Sequence, residues 1–389
     1  MSYIPYGKQD IDQNDIDAVV AILRSDFLTQ GPTVAAFEQA VASYCSAQHA
    51  VAVSSATAAL HIACLALELG PGDLLWTSPT TFVASANCAL YCGAQVDFID
   101  IDPETYNVSV ECLAEKLVQA EIDGKLPKIV MPVHLCGQSC DMAAIHSLSQ
   151  RYGFKIIEDA SHAIGGKYKD EPIGGCRYSD ITVFSFHPVK IITTGEGGMA
   201  LTNNSELSDR MLSFRGHGVT NDLSKMEPRP SDEIWNYQQI RLGFNYRMTD
   251  IQAALGLSQI ARLDEFVSRR QEIAMRYNVE LSGLSLKTPW QHKDSYSSYH
   301  LYPVRINLIE AKQTQRHIFD ALNIAGIKAN LHYVPVYRHP YYEAKGFNVG
   351  HCPAAEQYHK EAISIPMYPT MSDEQQTKVI FELKGALDL

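Results

Sequence analysis

The amino-acid sequence predicts an α/β protein with a large domain built on a mainly parallel sheet and a smaller α+β domain at its C-terminal end. Two observations support this fold class. Over the first two thirds of the chain, short β-rich runs alternate with helical stretches, and such alternation favours parallel strands covered by helices on both faces. From about residue 295 onward, the alternation is replaced by a mixture of strands and helices. The 389 residues are enough for two domains of ordinary size.

The elements of the large domain are expected within residues 1–250. β-rich runs predict strands over residues 50–53, 74–77, 95–101, 128–133, 155–158, 181–186 and 199–202. Helical patterns over residues 57–68 and 84–91 separate the first three strands. A polar, proline-bearing stretch over residues 220–239 is expected to be a long functional loop or an arm that contacts a partner subunit.

The small domain is expected to cover residues 251–389. A long helical pattern over residues 249–277 is predicted to form the bridge into it. Strands are predicted over residues 299–306 and 327–334, and helices over residues 313–325, 354–362 and 372–386.

Composition and charge restrict the function. The formal net charge of -12 argues against nucleic acid as a main partner, although an anionic substrate would need only local cations or helix N-termini. The sequence contains no recognisable signal peptide or membrane span, so we expect a cytoplasmic protein without a membrane partner. Nine cysteines at irregular spacings suggest buried, reduced thiols. Cys136 and Cys140 come nearest to a metal-binding pair, but no second pair stands at zinc-site spacing, and we expect no metal.

Lys190 is the first candidate for chemistry. It follows a predicted strand that ends at Phe186, and a segment rich in Thr and Gly follows it. A lysine at the carboxyl end of a strand can be partly desolvated, and its amine then becomes a usable nucleophile. Taken alone, the residue is more commonly an ordinary loop lysine.

Three other features follow other strands of the same predicted sheet. Asp159 ends an apolar strand, where a carboxylate either meets a cation such as a protonated ring nitrogen or caps a turn. The small residues from Ser54 to Leu60 open a helix, which either binds a phosphate at its N-terminus or carries a simple cap. Phe82 either stacks on a ring or packs in the core. Ligands of parallel sheets bind at the carboxyl ends of strands, so the four features together are far more specific than any one of them.

The sequence resembles the DegT/StrS family of sugar aminotransferases, which have the aspartate aminotransferase-type architecture (fold type I). The resemblance covers nearly the whole chain. It rests on these stretches: Leu28-Thr29-Gln30-Gly31-Pro32, Ser55-Ala56-Thr57-Ala58-Ala59-Leu60, Pro132-Val133-His134-Leu135, Glu158-Asp159-Ala160, Ser185-Phe186-His187 with Lys190, Gly195-Glu196-Gly197-Gly198, Arg215-Gly216-His217-Gly218, Gly243-Phe244-Asn245-Tyr246-Arg247-Met248 and Ile365-Pro366-Met367-Tyr368-Pro369. The chain departs from the usual family pattern at Cys136, where Tyr is common, and at Cys140, where Ala is common.

The resemblance implies pyridoxal 5'-phosphate (PLP) as cofactor, with Lys190 as the residue that binds it covalently. It also implies that Asp159 pairs with the pyridine nitrogen and that His162 lies against the ring or its phenolic oxygen. Further cofactor-binding residues are expected to be Ala56, Thr57, Phe82, Ser185 and, from the neighbouring subunit of a homodimer, Asn245. A nucleotide-sugar pocket is expected to be lined by Tyr6, Asp26, Phe27, Leu28, Thr29, His332, Tyr333, Val334 and Pro335. Arg247 is expected either to take part in the function of the site or only to form an interdomain salt bridge.

Within the family, residues 76–87 and 331–337 are most similar to the transaminases of pseudaminic acid biosynthesis. Those enzymes aminate UDP-2-acetamido-2,6-dideoxy-β-L-arabino-hex-4-ulose, and glutamate is the expected amino donor. The alternatives are an aminotransferase for a different UDP- or dTDP-linked keto-sugar and a non-catalytic regulator on the same fold. A deoxygenating dehydratase of the family would carry His in place of Lys190, and a cysteine desulfurase would need a mobile, reactive Cys.

Overall fold

The computed structural model of the chain describes residues 3–228 and 233–388. Its helices are α1 (Gln13–Leu23), α2 (Pro32–Cys45), α3 (Ala56–Ala66), α4 (Ala84–Tyr91), α5 (Val110–Ile122), α6 (Met142–Tyr152), α7 (Ser205–Arg215), α8 (Asp250–Ile260), α9 (Leu263–Glu280), α10 (Gln315–Ile324), α11 (Pro340–Glu343), α12 (Pro353–Glu361) and α13 (Asp373–Asp388). Its strands are β1 (His49–Val53), β2 (Leu74–Thr77), β3 (Gln95–Phe98), β4 (Ile129–Met131), β5 (Lys155–Asp159), β6 (Lys167–Tyr168), β7 (Glu171–Pro172), β8 (Ile181–Ser185), β9 (Gly198–Thr202), β10 (Val219–Thr220), β11 (Gln238–Gln239), β12 (Leu286–Lys287), β13 (Ser295–Tyr296), β14 (Tyr302–Ile306) and β15 (Ala362–Ile365).

The central sheet has seven strands in the order β1-β9-β8-β5-β4-β2-β3. Strand β9 is antiparallel to both of its neighbours, whereas every pairing from β8 to β3 is parallel. Because the direction reverses twice across β9, strand β1 runs parallel to β8. Strands β4 and β8 are buried at every residue, as expected where helices cover both faces of a sheet. The predicted mainly parallel sheet is confirmed.

The topology places four chain segments at one edge of this sheet. Strands β1, β2, β5 and β8 all point the same way, so the residues that follow them emerge at their common carboxyl edge. The turn before α3, the segment before α4, Asp159 and the loop with Lys190 begin there. This edge is the one at which ligands of parallel sheets bind.

A smaller antiparallel sheet, β12-β14-β15, forms the centre of the C-terminal part of the chain. Helices α10 and α13 cover it, and Val304, Leu322 and Leu383 are completely buried in the resulting core. The start of the chain joins this unit through a parallel bridge between Ile4 and Ile327. The predicted α+β character of the smaller unit is therefore confirmed, whereas the division between residues 250 and 251 stays a prediction.

The predicted single helix over residues 249–277 is wrong, because the chain forms two helices, α8 and α9, with a break between Ile260 and Leu263. Two side chains at the break are bound to the N-terminal segment: Gln259 Nε2 and Arg262 donate to the buried carboxylate of Asp15 at 2.7 and 2.6 Å. Apolar periodicity continues through both helices, so only these tertiary contacts reveal the break.

The predicted strand over residues 327–334 is also wrong. The backbone there is paired only at isolated positions, Ile327 with Ile4 and Asn330 with Ser364. The two partners come from opposite ends of the chain, and a β-rich composition cannot report such an arrangement. Of the predicted loop over residues 220–239, residues 229–232 lie outside the described residues, and the remainder contains the β10-β11 pair. No helix in the described part of the chain has the length and apolar character needed to cross a membrane.

Candidate active site

Lys190 lies on the loop that leaves β8 at the carboxyl edge. The loop is closed by backbone hydrogen bonds from Lys190 N–H to the His187 carbonyl (2.9 Å) and from Thr194 N–H to the Phe186 carbonyl (3.0 Å). The side chain is only partly exposed. Burial lowers the pKa of the Lys190 amine to about 8, although the nearby charges of Asp159 and Cys136 act in the opposite direction. The amine is therefore available in its neutral, nucleophilic form near neutral pH.

Asp159 is the last residue of β5 and is 5% exposed. Its backbone is held on both sides, since its N–H donates to the Pro132 carbonyl and its carbonyl accepts from His134 N–H. Its carboxylate interacts electrostatically with Lys190 and accepts two serine hydroxyls. The predicted acid and the predicted lysine therefore lie in one buried cluster.

The turn before α3 is shaped for an anion. Ser55 is the N-cap of α3, and its Oγ accepts from Ala58 N–H at 3.2 Å. The N–H groups of the preceding first-turn residues, Ala56 and Thr57, have no carbonyl within the helix to bond. Strand β9 starts so close to this turn that a Cβ atom at Gly198 would lie 2.4 Å from the Ala56 nitrogen. The turn thus forms a cradle of backbone N–H donors that fits a phosphate group. Only glycine at position 198 leaves enough room for this turn.

His162 is held in one tautomer. The backbone N–H of Cys136 donates to its Nδ1 at 3.2 Å, and its Nε2 lies 3.2 Å from the Tyr333 hydroxyl oxygen. Burial, followed by the charge of Lys190, lowers the pKa of His162 well below its usual value, so the ring is neutral. Since Nδ1 accepts a hydrogen bond, Nε2 carries the proton and donates to Tyr333.

Two further histidines extend this cluster. The ring of His300 lies 4.4 Å from that of His162 between centroids, and burial lowers the pKa of His300 well below its usual value. Burial also lowers the pKa of His332 to about 3, and its Nδ1 lies 2.9 Å from Ser364 Oγ. All three imidazoles are therefore neutral, so they shape the pocket and leave Lys190 as the titrating base at physiological pH.

Several predicted substrate-binding residues join this cluster. Tyr6 packs against His332 with ring centroids 5.2 Å apart, and Tyr333 interacts with both Tyr6 and Asp159. Ser185 is buried at the end of β8, where its backbone pairs with Gly198. Val334 and Pro335 follow Tyr333, and Val336 N–H fastens this segment to the Pro79 carbonyl at 2.8 Å.

Other predicted residues remain at the surface of the single chain. Phe82 is 60% exposed, and Asn245 is exposed while its backbone pairs with Gly216. The stretch 26–29 (Asp26, Phe27, Leu28 and Thr29) is also exposed. It is fastened to the start of α8, where the Leu28 carbonyl accepts from Asp250 N–H and Thr29 bridges Thr249. The roles of these residues in binding cofactor or substrate stay predictions.

Sequence reasoning missed Ser85, Ser161 and His300. Ser85 stands in the segment 82–87, but nothing in its pattern distinguishes it from a small residue of a packed helix. The backbone of Arg247 pairs with that of Val53, directly before the turn that leads into α3. None of the ion pairs in the described residues involves Arg247, so the interdomain salt bridge is not formed.

Comparison with known proteins identifies the family of the chain. A model of the DegT/DnrJ/EryC1/StrS aminotransferase family matches residues 9–384. The chain belongs to this family. The spore coat polysaccharide biosynthesis protein SpsC of Bacillus subtilis is 39% identical over 97% of this chain and 95% of the relative. A UDP-4-amino-4,6-dideoxy-N-acetyl-beta-L-altrosamine transaminase of Campylobacter jejuni is 36% identical over 95% of this chain and 93% of the relative.

Solved structures agree with the family assignment. PseC of Helicobacter pylori, an aminotransferase involved in the biosynthesis of pseudoaminic acid, aligns with a TM-score of 0.90 and 29% identity over the whole of both chains. The PLP form of the Streptococcus pneumoniae protein Spr1654 aligns with a TM-score of 0.88 and 28% identity over 99% of each chain. The fold is therefore fold type I, and this member of the family is a PLP-dependent aminotransferase.

Proposed function

We propose that this aminotransferase transfers an amino group from glutamate to the C4 ketone of a nucleotide-linked 4-keto-6-deoxy sugar in the cytoplasm. The preferred substrate is UDP-2-acetamido-2,6-dideoxy-β-L-arabino-hex-4-ulose, which places the reaction in pseudaminic acid biosynthesis. The observation that carries the proposal is the buried Lys190 amine beside Asp159, next to the backbone cradle at Ala56 and Thr57. The names of the altrosamine transaminase and of PseC support the choice of sugar.

The residues of the site have separate roles in cofactor binding and in proton transfer. Bound PLP supplies a carbonyl carbon that carries the amino group and a ring that takes up electrons. The N–H groups of Ala56 and Thr57 and the hydroxyl of Ser185 would hold the phosphate, Asp159 would meet the ring nitrogen, and Phe82 and His162 would contact the ring. The Lys190 amine would move a proton from the donor carbon and later deliver one to the sugar carbon. Its pKa of about 8 suits both directions of transfer at neutral pH.

We assign the sugar nucleotide to the pocket that opens beside Tyr6, His332, Tyr333, Val334 and Pro335. The neutral His332 and Tyr333 offer hydrogen bonds to sugar hydroxyls without adding charge. We propose that the exposed stretch with Asp26, Phe27, Leu28 and Thr29 also contacts the sugar nucleotide.

The active site is proposed to be completed by a second copy of the chain. Asn245 is exposed in the single chain. A homodimer in which Asn245 reaches the neighbouring phosphate accounts for this exposure. Mixing Lys190→Ala subunits with Asn245→Ala subunits tests this arrangement. Each hybrid dimer has one intact site if the site is shared, so an equal mixture should regain up to about a quarter of wild-type activity. If each site is complete within one chain, mixing should give no gain over the separate variants.

The decisive experiment offers the purified enzyme a set of 4-keto and 3-keto sugars linked to UDP or dTDP, with glutamate as donor. The expected product is UDP-4-amino-4,6-dideoxy-N-acetyl-β-L-altrosamine, identified by its mass and by its proton NMR couplings. Lys190→Ala should abolish turnover and the visible absorption of the bound cofactor. Steady turnover by this variant would refute the role of Lys190, and absence of any sugar product with normal PLP binding would refute the substrate class.

A second candidate is amination of a different UDP- or dTDP-linked keto-sugar for a surface polysaccharide. The 39% identity to the spore coat polysaccharide protein favours it, since that value exceeds the 36% identity to the altrosamine transaminase. The same substrate panel distinguishes the two candidates by the sugar that gives the highest kcat/KM.

A further inference from the structure

The carboxylate of Asp159 is held at both oxygens by side chains that the sequence did not single out. Ser85 Oγ lies 2.6 Å from Asp159 Oδ2, and Ser161 Oγ lies 2.6 Å from Asp159 Oδ1. The backbone N–H of Ser161 also donates to Oδ1 at 3.2 Å. Distances of this length are typical of hydroxyls that donate to a carboxylate, and such bonds are roughly twice as strong as those between neutral groups.

The direction of the hydrogen bond at Ser85 follows from the number of protons available. Its single hydroxyl proton could go to Asp159 Oδ2 at 2.6 Å or to the Phe82 carbonyl at 3.4 Å, and the shorter, charge-assisted bond is favoured. Thr81 Oγ1 lies 2.8 Å from the same Ser85 oxygen and is therefore the donor in that pair. A chain of hydroxyls runs from Thr81 through Ser85 to Asp159, and its members are all buried.

The two serines reach Asp159 from different elements. Ser85 lies in the first turn of α4, which follows β2, so the carboxylate also lies near the positive end of that helix. Ser161 follows Asp159 by two residues on the loop after β5. Contacts from two directions restrict both the rotation and the tilt of the carboxylate plane.

We propose that Ser85 and Ser161 are positioning residues that orient the Asp159 carboxylate toward the ring nitrogen of the cofactor and hold its charge there. This inference rests on the proposed function of Asp159. The serines do not touch the reacting carbons, and they act only through Asp159. Their contribution therefore depends on the presence of a nitrogen in the cofactor ring.

That dependence provides a test by equilibrium binding. The apo-protein is titrated with PLP and, separately, with the carbocyclic analogue in which C–H replaces the ring nitrogen, and binding is followed by protein fluorescence. Ser85→Ala should raise the dissociation constant of PLP several-fold, because a carboxylate that is free to rotate in the apo-protein must be ordered when it meets the ring nitrogen. The dissociation constant of the analogue should change less than about twofold, because the analogue has no nitrogen for Asp159 to meet.

Matched variants separate positioning from folding. Ser85→Thr keeps the hydroxyl and should bind PLP as tightly as the wild type. Ser149→Ala removes a buried hydroxyl that is hydrogen-bonded within α6, and it should leave the dissociation constants of both ligands unchanged. If Ser85→Ala does not fold, Ser161→Ala on the loop takes its place, with urea unfolding as the check. Equal weakening of both ligands, or unchanged PLP binding, would overturn the proposal.

Failure of this inference can be told from failure of the proposed function. Asp159→Asn should weaken PLP far more than the analogue if Asp159 meets the ring nitrogen. If Asp159→Asn has that effect but neither serine variant does, the serines are not positioning residues and the assignment of Asp159 stands. If wild-type protein binds both ligands equally and Asp159→Asn has no effect, the role of Asp159 itself is wrong, and the role of the serines fails with it.

Discussion

The titration of Lys190 is the most direct test of the active-site geometry. Burial lowers the pKa of its amine from 10.5 to about 8. At pH 7 about a tenth of such amines are neutral, compared with roughly 0.03% for a lysine with an ordinary pKa. The neutral population is therefore larger by a factor of about 300, and the rate at which the amine attacks a carbonyl carbon at neutral pH should rise with it.

The assay mixes apo-protein with pyridoxal in a stopped-flow spectrometer and records the visible band of the bound cofactor at pH 6–11. Pyridoxal replaces PLP because it lacks the titrating phosphate, and the profile for its reaction with a free model amine corrects for titration of the ring nitrogen. The second-order rate constant should rise with pH and level off above about pH 9, with a midpoint near 8. Lys190→Ala supplies the background from other lysines.

A second variant checks the electrostatic cause. The negative charge of Asp159 raises the pKa of Lys190 and so works against burial. Asp159→Asn removes that charge and should move the midpoint of the rate profile to lower pH. A wild-type midpoint near 10, or a shift of the midpoint to higher pH in Asp159→Asn, would refute the argument that burial controls this amine.

Two other predictions concern the cradle and the core behind the site. Gly198→Ala should weaken PLP binding and destabilise the apo-protein by about 1–3 kcal/mol in urea unfolding, because its Cβ would lie 2.4 Å from the Ala56 nitrogen. Gly70→Ala, with open space around its Cβ, should be nearly neutral, and equal effects of the two substitutions would contradict the cradle. Glu158→Gln should cost about 3–5 kcal/mol at pH 7, since it breaks a buried pair with His134 Nε2 at 2.7 Å. Burial lowers the pKa of His134, but interactions with the Cys140 and Glu158 side chains outweigh it and raise that pKa to about 10, so wild-type stability should decline as the pH rises from 6.5 through about 10. Urea titrations at several pH values would contradict this account if Glu158→Gln showed the same decline.

Local patterns were sufficient for the architecture of the sheet. The predicted strands at residues 74–77 and 199–202 lie within one residue of those observed, because apolar β-rich runs between turn residues need no information from the rest of the chain. The same patterns failed at residues 249–277. There the break between α8 and α9 depends on the contacts of Gln259 and Arg262 with Asp15, far away in sequence.

The residues of the candidate site also differ in whether the sequence alone could select them. Lys190, Asp159 and the turn at Ala56 and Thr57 could be selected because each lies at or shortly after the end of a strand, and parallel strands present their carboxyl ends at one edge. The residues that support them could not be selected in this way. Ser85 meets Asp159 across 74 positions of sequence, and Ser298 Oγ donates to the His162 carbonyl across 136 positions.

The sequence by itself therefore determined the class of fold and the cofactor, and it selected the lysine that is proposed to bind that cofactor. These depend on residue types at fixed distances from strand ends, and such distances are preserved in the linear chain. Only the tertiary structure decided the protonation of the cluster and the orientation of its acid. The pKa of Lys190, the tautomer of His162 and the two hydroxyls on Asp159 depend on burial and on neighbours from separate elements. Desolvation and hydrogen-bond geometry are properties of the packed site, so they come into existence only when the chain has folded.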